Sequence, residues 1–132
     1  MNHRALGYAL LRFVLGINFF MHGAVRVFGD YAGFAQGVAG EFSGTILPEA
    51  MVQLVGWGIP PVELAIGVAL ILGLFTRTAL VAGGVLMGVL VFGMSLLQNW
   101  GTVADQMLYT LLFALLLFAL KNNRLSLDRL FR

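Results

Sequence analysis

The chain has 132 residues, of which 60% are hydrophobic and 11% charged. Soluble domains average roughly 25% charged residues, so this composition, with a mean hydropathy of +0.92, belongs in a membrane. A chain without cysteine and with two histidines cannot build disulfides, an iron–sulfur site, a thiolate nucleophile or a closed zinc site, and a net charge of only +2 gives no reason to expect nucleic acid.

No phosphate-cradling glycine loop occurs either. Any redox chemistry must therefore use a bound molecule or a partner. A spanning helix needs about 20 apolar residues, and the first such stretch covers 5–28, closed by Gly29-Asp30. Arg4 followed by an apolar run has the look of a secretory signal, but Arg12 interrupts the run, so an uncleaved first transmembrane helix is expected. Asn18, His22 and Arg26 lie inside it. At about 100° per residue each step of four drifts by about 40°, and Arg12 falls within about 40° of Arg26, so the four share one inward stripe.

The segment 30–48, with four glycines and Glu41, is too polar to span. It is expected as an external loop with a short amphipathic helix over 34–42. Pro48-Glu49 opens the second helix, 49–75. The pair Pro60-Pro61 should kink it or split it into two halves, with Trp57 at the break. Glu63 follows the prolines. A carboxylate inside such a helix costs several kcal/mol unless paired or neutral, and usually faces the bundle interior.

After a turn at Thr76-Arg77, a third helix occupies 78–97. Its Gly84 and Gly88 form a small-xxx-small pair, expected to pack inside the bundle, with self-association of the chain as the other use of that face. The fourth helix, 103–120, carries Asp105, Gln106 and Tyr109 in its first two turns. The basic tail 121–132, with Leu125, Leu127, Leu130 and Phe131, is expected to lie on the membrane surface. Arg4, Arg77, Lys121, Arg124, Arg129 and Arg132 fall on one side; Asp30, Glu41, Glu49 and Asp105 fall on the other. The expected fold is thus an all-α integral membrane protein: one domain, a four-transmembrane-helix bundle with both termini cytoplasmic by the positive-inside rule.

At about 1.5 Å per residue, Arg12 lies roughly 10 Å and Glu63 roughly 16–18 Å in from the cytoplasmic side, which predicts an Arg12–Glu63 ion pair. Toward the outer side His22, Arg26, Trp57, Asp105, Gln106 and Tyr109 should gather. Titratable groups, cations, amide and hydroxyl donors and flat rings suit a planar amphipathic ligand with carbonyl oxygens, such as a quinone. His22 and Glu63 would be its proton donors, with the cations stabilising a developing oxyanion. No metal, haem or iron–sulfur cluster is expected on this chain.

The run His22-Gly23-Ala24-Val25-Arg26-Val27-Phe28-Gly29 resembles the His-Gly-x-x-Lys/Arg-x-Phe-Gly signature that closes the first helix of the DoxX family. Pro61-Val62-Glu63-Leu64-Ala65-Ile66-Gly67, running on to Leu72-Gly73-Leu74-Phe75-Thr76-Arg77, resembles that family's second-helix motif, and Leu125-Ser126-Leu127-Asp128 its usual tail. The resemblance implies a small four-helix protein of a bacterial or archaeal cytoplasmic membrane, similar to the DoxD-type subunit of thiosulfate:quinone oxidoreductase. It also implies a soluble or membrane oxidoreductase partner, and it carries over Arg12, His22, Arg26 and Glu63. Arg26 stands where lysine is common, which keeps the charge but not the shape. Two other readings use the same residues: a non-enzymatic scaffold or assembly subunit, and a small-solute or proton permease.

Overall fold

The computed structural model describes residues 2–131; Arg132, counted above among the basic residues, lies outside them. Four long helices, α1 (His3–Val27), α3 (Glu49–Leu72), α4 (Thr76–Leu96) and α5 (Trp100–Phe118), are each long and apolar enough to cross a membrane. A shorter helix, α2 (Tyr31–Glu41), joins α1 to α3, and two short 3-10 turns, Leu120–Asn122 and Leu127–Phe131, follow α5.

Most boundaries follow from side-chain caps. The amide oxygen of Asn2 accepts from the Arg4 and Ala5 nitrogens, Asp30 from Gly33, and Asn99 from Thr102, each satisfying donors that the first helical turn leaves open. Asn99 thereby starts α5 at Trp100, inside what reads as loop in the sequence. The second long helix stops at Leu72 rather than near 75. Gly73 adopts φ +67° and the Leu74 nitrogen donates back to the Ala69 carbonyl, a left-handed C-terminal cap that glycine enters without strain.

α3 runs unbroken through Pro60 and Pro61, so the outer and inner halves expected there belong to one helix. Two prolines remove the donors that would bond to the carbonyls of Gly56 and Trp57, four residues back. The freed Trp57 carbonyl accepts the Tyr31 hydroxyl of α2, and the Tyr31 and Trp57 rings lie 4.7 Å apart. The Gly56 backbone packs on α2 at Ala35. The proline pair thus becomes the dock for α2, and polar backbone that lipid would not tolerate open gains a partner at Trp57.

α1 and α3 are antiparallel and nearly backbone to backbone. Gly16 faces Leu70 and Ile71, Gly67 faces Phe20, and Gly23 faces Pro60 and Leu64. A Cβ on Gly23 would fall 2.5 Å from the Leu64 nitrogen. On the other side α5 packs on α4 through Phe113, whose ring occupies the space a side chain at Gly83 would need. Leu15, Phe19, Ile66, Leu70, Leu80, Met87, Phe113 and Leu116 join the two pairs in one core. Gly84 and Gly88, expected to pack inside the bundle, instead face open space. The helix turns Gly83 inward, and a neighbour one residue on lies about 100° away.

The tail corrects a second expectation. It does not simply lie on a surface but folds back and closes the end of the bundle opposite α2. Asn123 is buried and the Asp128 nitrogen donates to the Gly73 carbonyl. The Asp128 carboxylate accepts from the Phe75 and Thr76 nitrogens, capping α4 from 52 residues away, where the local residue, Phe75, offers no capping side chain. Leu130 and Phe131 stay exposed.

Gly23→Ala is expected to lower stability by about 1–3 kcal/mol, because an overpacked contact must open. Gly84→Ala should stay within about 0.5 kcal/mol, like other surface changes. Thermal unfolding of the two variants side by side in one detergent checks this; equal shifts would contradict the close α1–α3 approach.

Candidate functional site

The helices line a partly open cavity of about 530 Å³ at the α2 end of the bundle, with walls from α1, α2, α3, α4 and α5. The α1–α3 register supplies its polar floor. Residues 16, 20 and 23 stand opposite 70–71, 67 and 60–64, which puts Glu63 level with the last turn of α1. Arg26 Nη1 donates to Glu63 Oε1 at 2.8 Å, with the Glu63 side chain 5% and that of Arg26 32% exposed. The guanidinium also stacks on Phe34 of α2, 4.2 Å from the ring centroid, a cation–π contact that ties α2 to the ion pair.

This pairing overturns the expected Arg12–Glu63 bridge. In the observed register Arg12 lies eleven residues, roughly 16 Å of helix, from the level of Glu63, beyond side-chain reach. Arg12 is buried instead at the C-terminal end of α3. It donates to the Leu70 carbonyl at 2.9 Å, to Asn123 Oδ1 at 2.7 Å and to the Leu125 carbonyl at 3.0 Å. A helix C-terminus carries open carbonyls and partial negative charge, which favours a cation there, and Asn123 links the guanidinium to the Asp128 carboxylate. Arg12 is the pin that holds the tail.

Of the other residues singled out in the sequence, His22, Arg26, Glu63, Asp105, Gln106 and Tyr109 all line the cavity. Trp57 does not; it is half exposed and packs against the tilted Tyr31 ring. His22 Nδ1 lies 2.7 Å from the Asn18 carbonyl. A carbonyl only accepts, so Nδ1 carries the hydrogen and Nε2 is left as the free nitrogen of the neutral ring. Tyr109 meets Phe19 edge-on at 5.7 Å, and Phe19 meets Phe113 at 5.1 Å. These rings join α1 to α5 beneath the polar groups. Gln106 is 9% exposed and its amide oxygen has no partner among the described residues. Ile59, Met87 and Leu90 supply an apolar wall. Among the described residues there is no group of three or more potential metal-ligating side chains.

The sequence reading missed the α2 contribution: Phe34, Val38, Glu41 and Phe42 all line the cavity. The signal was present. Residues 34, 38 and 42 recur every fourth position, which places them on one helical face.

A bundle of membrane-length helices that buries an ion pair beside a mostly apolar cavity defines a small integral membrane protein with a ligand-sized site. Residues 7–96, which hold most of α1, all of α2, α3 and α4, and the first- and second-helix motifs but not the tail motif, match the model of the DoxX family, and the chain belongs to that family. No curated protein and no solved structure matches the chain.

Removing one member of a buried pair leaves the other charge uncompensated and typically costs about 3–5 kcal/mol, whereas an apolar replacement of both is often near neutral. Arg26→Met is accordingly expected to destabilise strongly, and the double variant Arg26→Met/Glu63→Leu to recover most of the loss. A double-mutant cycle by thermal unfolding measures the coupling; strictly additive single effects would contradict a shared pair.

Proposed function

We propose that this DoxX protein is a membrane subunit of a quinone-linked oxidoreductase system, in the manner of the DoxD-type subunit it resembles, and binds a quinone in the cavity beside Arg26 and Glu63. The observation that carries the reading is the cavity itself. Its volume of about 530 Å³ lies within the roughly 300–1,000 Å³ usual for small-molecule sites, as does its apolar wall with few convergent polar groups. A bound quinone supplies a two-electron, two-proton carrier; a partner oxidoreductase supplies the electrons.

The chain's own residues have separable tasks. Arg26, held in place by Glu63 and Phe34, presents its remaining N–H donors toward the cavity. Tyr109 adds a hydroxyl. His22, fixed by Asn18, can accept or release a proton at Nε2. Phe19 and Phe113 close the space toward the bundle centre. The basic residues cluster at the tail end, which under the positive-inside rule supports a cytoplasmic tail end and a cavity in the outer half of the membrane; the proposed setting is a bacterial or archaeal cytoplasmic membrane.

Titration of a short-chain benzoquinone into the purified protein in nanodiscs is expected to show saturable binding. Tyr109→Phe should weaken it by about 2- to 10-fold, the value of one hydrogen bond. Absence of saturable binding by the folded protein would overturn the reading. It would favour a scaffold subunit instead, a role with which the mutual satisfaction of Arg26 and Glu63 agrees.

A further inference from the structure

The charges around the cavity are unbalanced. Three carboxylates, Glu41, Glu63 and Asp105, line it with one guanidinium, Arg26. Arg26 is engaged by Glu63 in the only ion pair among the described residues. Asp105 and Glu41 are therefore left without a cation. On the facing helix His22 Nδ1 is held by the Asn18 carbonyl, so the nitrogen that remains, Nε2, is an acceptor in the neutral ring. Gln106, more than nine-tenths buried in the cavity wall on α5, keeps an amide oxygen with no donor among the described residues. An unsatisfied buried acceptor costs free energy that an incoming donor would recover.

A quinone presents carbonyl oxygens alone. Such oxygens find donors at Arg26 and at the Tyr109 hydroxyl but meet only like partners at Asp105 and at His22 Nε2. The two-electron reduced form carries two hydroxyl hydrogens. Its oxygen can still accept from Arg26, while a hydroxyl at the α5 side donates to a carboxylate, which is a charge-assisted bond and about twice as strong as a neutral one. We propose that the cavity holds the dihydroxy, reduced form of its ligand in preference to the quinone, with Asp105 and His22 as the acceptors that discriminate and Gln106 as a third. This inference rests on the reading of the cavity as a quinone site and specifies which redox state it favours.

Preference for one state shifts the couple. Quinone plus two electrons and two protons gives the quinol, so a site that binds the quinol more tightly makes its bound quinone easier to reduce. For a two-electron couple each tenfold preference corresponds to about 30 mV. The site would thereby draw electrons toward the quinone pool without carrying any electron-transfer group itself.

The test is equilibrium binding to the whole protein in nanodiscs, without oxygen, of three probes of one shape: a decyl-chain benzoquinol, its quinone and its dimethyl ether. The quinol is expected to bind about tenfold more tightly than the quinone. The ether, which has the quinol's oxygens but no hydroxyl hydrogen, should bind like the quinone. Asp105→Asn, nearly isosteric and on an exposed position, should cut the preference to about threefold by weakening the quinol alone, with the thermal midpoint unchanged. Equal or tighter binding of the quinone, or an ether as tight as the quinol, would overturn the inference and leave the quinone reading standing. Failure of all three to bind would remove both.

Discussion

Contact between the backbones of α1 and α3, permitted by Gly16, Gly23 and Gly67, fixes which charged groups of the two helices meet. In lipid there is no hydrophobic force to press helices together, so close van der Waals approach of small residues does that work. The approach sets an antiparallel register in which Arg26, and not Arg12, reaches Glu63. Each of those charges would be expensive alone in the membrane. The register makes them one neutral unit and leaves its remaining donors turned toward a space between helices.

That space exists because the bundle is two helix pairs rather than four equal neighbours. α1 with α3, and α4 with α5, meet closely toward the tail end through Tyr8, whose hydroxyl donates to the Leu116 carbonyl, and through Phe19 with Phe113. Toward the other end they diverge around the cavity, and α2 covers it. α2 is held by contacts that originate in the proline pair of α3 and in the guanidinium of Arg26. The cover and the polar floor therefore share a residue. A ligand that drew Arg26 away from Phe34 would loosen α2 as well.

The four spans and their order were legible because membrane helices announce themselves by length and hydropathy. The polar stripe of α1 was legible too, since it follows from helical period alone. Pairing across helices was not. Depth counted from helix ends taken as level placed Arg12 near Glu63; in the observed register Arg12 stands beyond the last turn of α3, beside Gly73, so the offset between the helix ends, which the sequence does not state, decided which arginine reaches the carboxylate. The role of Gly23 and Gly67 in setting that register depends on which helix they face, and a sequence does not state this. The tail misled for another reason. Its alternating leucines and basic residues fit a surface helix, while the contacts that dominate, Asn123 with Arg12 and Asp128 with the α4 amides, join segments more than 50 residues apart.

The long reach of the Arg12 pin has a temporal side. Its acceptors on the tail, Asn123 and Leu125, lie 111 and 113 positions later in the chain. At ordinary synthesis rates of about 5–20 residues per second, α1 exists for roughly 5–20 s before Asn123 can bind Arg12. Over that interval only the Leu70 carbonyl, itself made midway, can begin to satisfy the guanidinium, and α4 waits through 52 residues, about half as long, for the carboxylate that caps it. The bundle is therefore assembled with one end open and sealed when residues 123–128 arrive, so the order of synthesis is also the order of closure.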